Sequence, residues 1–186
     1  NLGERGEYQK TKQKSPYESL KNMMKANKLK KKILEGKNVI GTWSSLSSSN
    51  VINVLGTTKL DFVVIDLEHG SSSYEKVEDM VRAAESSSIS PIVRVQSDNE
   101  QEILRALETD PQSILIPHIK DANQAEKVVQ SCRYFPEGKR GLSPYTRVHN
   151  FSHEDIEESL KLTNEHLLLG ILVEGKEGLS NLEEIV

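Results

Sequence analysis

A single cysteine, Cys132, stands in 186 residues, so no disulfide can form within the chain. It falls inside a helical pattern, where a small buried thiol with no redox role is expected. Aromatic residues are scarce, at 5%, with Trp43 the lone tryptophan. No apolar run approaches the roughly 20 residues of a membrane-spanning helix, and no secretory leader pattern opens the sequence. A cytoplasmic protein without a membrane partner is therefore expected. Neither GxGxxG nor GxxxxGK[ST] occurs, which argues against a dinucleotide or P-loop nucleotide cofactor. HExxH is missing as well, and His118, His149, His153 and His166 follow no metal-ligand spacing, so each is read as a surface or loop residue.

Net positive charge is found only at the front. Residues 1–37 carry 11 Lys and Arg against 4 Asp and Glu, a balance of +7, while the remainder carries −11. The basic stretch has little aromatic interleaving and no nucleic-acid-binding signature, so it reads as a solvated helix face rather than a nucleic-acid contact.

What is present is a rhythm. Residues 1–23 are polar and basic and read as an extension; residues 24–37 form a helix leading into the body; residues 38–186 form the folded domain. The helix pattern itself runs from Ser15 as N-cap, through Pro16 and a capping-box Glu18, to Gly36, and Met24 is a candidate natural start. Beyond it, short apolar runs rich in β-branched residues, at 38–43, 61–66, 90–95, 113–117 and 167–174, alternate with amphipathic helical stretches. Near-continuously apolar strands separated by helices make a parallel sheet covered by helices.

A doubly wound sheet and a (β/α)8 barrel both fit this alternation. The polar residues favour the barrel, because they stand at or just after the C-terminal ends of several different strands: Trp43, then Asp66, Glu68 and His69, then Arg94, then Pro117 with His118, then Glu174. Five strands can be counted, against eight for a closed barrel.

The stretch "IDLEHG", residues 65–70, places two carboxylates and an imidazole at one strand exit, where His69 is a candidate base near neutral pH. Equally, such a turn can be a salt-bridged helix entry. "PIVRV" sets the Arg94 guanidinium in an apolar strand, and a buried guanidinium requires a carboxylate from the protein or from a ligand. Glu174 ends "LLLGILVE" and offers a hard oxygen donor to a metal, or a cap or ion pair.

Taken in order, "VIGTW", "LDFVVIDLEHG", "PIVRV", "ILIPHIKDANQAEKVVQSCRYFPEGKRGLSP" and "ILVEGKEGLSNLEEI" resemble the HpcH/HpaI aldolase family, metal-dependent class II pyruvate aldolases of the 4-hydroxy-2-oxoheptanedioate and 2-keto-3-deoxy sugar acid type. The resemblance implies a TIM (β/α)8 barrel of the phosphoenolpyruvate/pyruvate-binding type, here covering about its first five strands. It implies His69 as catalytic base supported by Asp66, with Glu68 and Glu108 as further supporting residues. Arg94 would bind pyruvate and its enolate, and Trp43 would line the pocket. Glu174 would be one of two carboxylate ligands to a divalent metal (Mg, Mn or Co), the other lying beyond Val186. No Schiff-base lysine is implied, and relatives are homo-oligomers.

The implied reaction is reversible aldol cleavage of a 4-hydroxy-2-oxo or 2-keto-3-deoxy acid to pyruvate and an aldehyde. A CoA-thioester lyase of the malyl or citramalyl type, and a noncatalytic binding or assembly module, are the alternatives. Two departures stand out: Leu172 replaces a glutamine common in relatives, and Asp110 with Pro111 replace a Gly-Ala turn.

Overall fold

The structure is a computed structural model and describes residues 26–186. Five strands form one sheet: β1 (Gly41–Ser44), β2 (Phe62–Asp66), β3 (Ser90–Arg94), β4 (Ser113–Ile116) and β5 (Leu168–Ile171). Every neighbouring pair is parallel and the spatial order is the chain order, β1-β2-β3-β4-β5. A doubly wound sheet reverses its strand order at a switch point, and this one does not. It is a barrel wall, as expected from the placement of the polar residues.

Helices α1 (Lys28–Leu34), α2 (Ser49–Gly56), α3 (Tyr74–Ser86), α4 (Glu100–Glu108), α5 (Ala122–Cys132), α6 (Ile156–His166), α7 (Lys176–Ser180) and α8 (Leu182–Ile185) connect and flank the strands. Side-chain oxygens of Ser48, Ser73, Asn99 and Asp121 cap the first turns of α2, α3, α4 and α5, as such residues do before an amphipathic run. The core lies between sheet and helices. Alternate strand residues Val63, Ile65, Val93, Ile114 and Ile116 meet Val77, Met80, Val81, Ile103, Leu107, Val128 and Cys132 from the helices. Burial pushes the Cys132 thiol up to about 12, which keeps it a protonated packing group. By the period of two, the other strand face carries Val64, Asp66, Ile92, Arg94, Leu115 and Gly170, the inner side of the wall. Among the described residues no helix is long and apolar enough to cross a membrane.

Two expectations are corrected. The helix read from Ser15 to Gly36 does not run through Asn27, which is extended and starts α1 anew; its earlier part, with Ser15, Pro16 and Glu18, lies outside the described residues. Asn27 Oδ1 accepts from the Lys30 N–H at 3.0 Å, while Nδ2 donates to Gln112 O, Ser113 Oγ and His166 O at 2.8–3.1 Å. A cap joined to three tertiary hydrogen bonds outweighs helical propensity. The fifth strand ends at Ile171 rather than Glu174. The Leu172 N–H still donates to Ile116 O at 2.8 Å, but the His118 N–H, next in the ladder, turns to Glu174, and the Leu172 carbonyl accepts from Ile119 instead.

Asp110 and Gln112 both have positive φ, 60° and 56°. The left-handed backbone at position 110 accounts for a glycine being favoured there and for Asp tolerating it.

Candidate active site

The turn after β2 is shaped by its last residue. A Cβ on Gly70 would stand 2.1 Å from the Asp66 carbonyl oxygen, so only glycine lets the chain fold back this tightly. Asp66 Oδ1 accepts the backbone N–H groups of Glu68 and His69, at 3.0 and 3.3 Å, closing the turn from inside. The side chains of Glu68 and His69 are thereby set at the mouth of the wall.

Arg94 lies beside Asp66 in the strand register and is equally buried, each 6% exposed. Its Nε donates to Asp66 Oδ1 at 2.9 Å and its Nη2 to Asp66 Oδ2 at 2.7 Å, a two-pronged contact matched to the planar fork. Its Nη1 stands 2.8 Å from Glu68 Oε2 as an ion pair, although that oxygen has no aligned hydrogen bond. The Trp43 ring lies under the guanidinium, 4.6 Å from centroid to carbon. Burial pushes the Asp66 carboxyl up, but the Arg94 hydrogen bonds, the His69 N–H and the Arg94 charge outweigh it and hold the group below its ordinary value. The Asp66 hydrogen bond raises Arg94 in turn, against the opposing effect of burial.

His118 and Glu174 complete the rim. His118 Nε2 is 2.8 Å from Glu68 Oε1, its Nδ1 is 3.5 Å from Glu174 Oε1, and its backbone N–H donates to that same oxygen at 3.2 Å. His69 is 73% exposed, with Nε2 3.7 Å from Glu68 Oε1.

Asp66, Glu68, His69, Arg94, Trp43 and Glu174 therefore gather at the strand C-terminal ends. The carboxylate nearest the His69 imidazole is Glu68, whereas Asp66 reaches His69 only through the backbone and spends its oxygens on Arg94. Glu108 is not brought to this cluster. It ends α4, at the opposite edge of the wall, where its Oε1 accepts from Arg140 Nη2 at 2.9 Å. There, buried Tyr134 hydrogen-bonds His149 Nε2 at 3.0 Å, and His149 Nδ1 meets Ser159 Oγ at 2.7 Å.

One reading of a histidine changes: His149 is a core residue. His118 is the exposed loop residue expected, and its ring stands at the rim beside Glu68. Nothing in sequence spacing marks His149. His118 had one signal: it follows a strand end directly, as Glu68 and His69 follow β2.

Glu174 carries a hard oxygen donor, and no lysine or arginine pairs with it among the described residues, which suits one ligand of a divalent cation. Among the described residues, however, no three His, Cys, Asp or Glu side chains converge as a metal-holding group.

The charged cluster and the guanidinium lie at the C-terminal ends of the strands, the face on which TIM-barrel enzymes build their active sites. Residues 39–186 match the HpcH/HpaI aldolase/citrate lyase family, and the chain belongs to it. It is 33% identical over 160 residues to the hydroxypyruvate/pyruvate aldolase of Roseobacter denitrificans, covering 86% of this chain and 62% of that one. To the 2-keto-3-deoxy-L-rhamnonate aldolase of Escherichia coli it is 30% identical over 166 residues, covering 89% and 61%. Among solved structures, an HpcH/HpaI aldolase/citrate lyase family protein from Burkholderia cenocepacia superposes with a TM-score of 0.80 at 25% identity, covering 86% and 64%. The chain thus spans about three fifths of the length of the curated relatives it matches.

Proposed function

We propose that the protein containing this chain is a metal-dependent pyruvate aldolase, which reversibly cleaves a 4-hydroxy-2-oxo or 2-keto-3-deoxy acid to pyruvate and an aldehyde. The observation that carries this reading is Arg94: a buried guanidinium, braced by Asp66 and Glu68 and backed by Trp43, opening onto the face where His69 and Glu174 stand. Two carboxylates hold its fork in place. At least one N–H on each terminal nitrogen is left to meet a 2-oxo acid.

His69 takes the proton from the C4 hydroxyl of the substrate, and the C3–C4 bond breaks to release the aldehyde. The electron pair of that bond becomes the enolate of pyruvate, which is then protonated at C3. Arg94 places fixed positive charge where the enolate develops, without reorganising during the step. Glu174 would hold a divalent cation in part, and that cation would supply Lewis-acid stabilisation of the enolate when bound. Exposure of the His69 ring leaves it free to exchange its proton with solvent between turnovers. We also read the protein as cytoplasmic, homo-oligomeric in its full-length form, and acting on small molecules.

The test is a coupled assay for pyruvate on the full-length protein with Mn, Co or Mg. Metal-dependent pyruvate release from 4-hydroxy-2-oxo or 2-keto-3-deoxy acids is expected. Its absence across such acids, with every metal, would sink the reading.

A further inference from the structure

His118 sits immediately after β4 with a φ of 61°, a left-handed conformation disfavoured for any residue with a side chain. Such a conformation persists where the surroundings hold it in place, and here they are two carboxylates from two other strand exits. The main-chain N–H reaches Glu174 Oε1 at 3.2 Å, while the ring reaches Glu68 Oε1 at 2.8 Å. An ionised carboxylate can only accept, so Nε2 carries the hydrogen in the Glu68 contact. The turn at 118 thus sends one residue's main chain toward β5 and its ring toward the β2 exit.

Glu68 is itself fixed from behind by Arg94, 2.8 Å from its other oxygen. A continuous chain results: Asp66 to Arg94, Arg94 to Glu68, Glu68 to His118, His118 to Glu174. Only the last of these carboxylates, 39% exposed, faces open space.

We propose that His118 is a positioning residue that fixes the Glu174 carboxylate and ties it through Glu68 to Arg94. The proposal rests on the reading of this face as a metal-dependent aldolase site. Outer groups of this kind orient the atoms that meet the metal, and removing one weakens metal binding by about 10- to 100-fold.

The experiment uses the full-length protein and three variants, His118→Met, His118→Gly and His118→Gln. Affinity for Mn2+ alone is measured by calorimetry, and deuterium exchange into the pyruvate methyl group by NMR, which requires no aldehyde partner. His118→Met and His118→Gly are expected to raise the Mn2+ dissociation constant about 10-fold or more. Their exchange rate should fall at subsaturating Mn2+ and largely recover at saturation. His118→Gln, whose amide nitrogen can take the place of Nε2 against Glu68, should keep most of the affinity. The glycine variant separates ring from backbone: were the left-handed turn alone responsible, glycine would bind Mn2+ at least as tightly as the native protein.

Native Mn2+ affinity in folded His118→Met and His118→Gly would overturn the proposal while leaving the aldolase reading intact. A native protein that neither binds divalent cations nor exchanges pyruvate protons would overturn both.

Discussion

Arg94 has five N–H donors; two hydrogen-bond Asp66, and Nη1 stands beside Glu68 as an ion pair. Replacing it with methionine removes the cation and leaves two largely buried carboxylates facing each other without compensation. Methionine retains most of the apolar stem, so the loss is mainly electrostatic, and Arg94→Met is expected to destabilise the full-length protein by about 3–5 kcal/mol. Arg94→Lys keeps the charge but not the fork, and should destabilise less while still weakening pyruvate binding. Urea unfolding at neutral pH, with the KM for pyruvate measured alongside, checks both; equal stability of Arg94→Met and the native protein would contradict the account. Arg94 is legible in the sequence because an arginine in an apolar strand is conspicuous. Its partners are not, since Asp66 and Glu68 could equally have served His69.

At the level of elements, the wall depends on how α1 is fastened to its base. Asn27 caps α1 with its oxygen and holds the starts of β4 and β5 with its nitrogen, through Gln112, Ser113 and His166. Asn27→Ala loses the cap and three tertiary hydrogen bonds, to the Gln112 and His166 carbonyls and the Ser113 hydroxyl, a cost of about 2–4 kcal/mol. Asn27→Asp keeps the cap oxygens but cannot donate, so it should recover only the capping part. Thermal melts of the two variants separate the contributions, and near-identity of Asn27→Asp with the native protein would refute the tertiary role. Elements with strong period and a clear cap, such as α3 and α5, are legible in the sequence within a residue or two. The break at Asn27 is not, because it arises from partners 85 to 139 positions away.

For the whole molecule, the acid sensitivity of the fold should centre on the buried cluster at the opposite edge from the site. Burial, with the Arg140 charge adding to it and Glu108 opposing, lowers His149 from 6.5 to about 4. The folded imidazole thus stays neutral where the unfolded one takes up a proton. Its stabilising contribution is full above about pH 6.5 and is lost as pH falls toward about 4, amounting to about 3 kcal/mol at most. His149→Gln cannot titrate: it should be less stable at pH 7, yet show a shallower fall in Tm between pH 6.5 and 4. A parallel decline in the two proteins would show that other groups govern the acid response. Tyr134, pushed up to about 12 chiefly by burial, remains a neutral hydroxyl partner throughout this range.

The sequence by itself determined the alternation of strands and helices, the core faces and most of the polar residues at the strand exits. These depend on local period, on capping chemistry and on the rarity of charge in apolar strands, all of which act over a few neighbouring positions. Only the tertiary structure decided that Asp66 belongs to Arg94 rather than to the His69 ring, that Glu108 lies away from the cluster, and that His118 joins Glu68 to Glu174. Each of those outcomes is a competition among buried charges and strand edges for partners that are distant in the chain, and it is resolved by which groups the parallel register brings within reach.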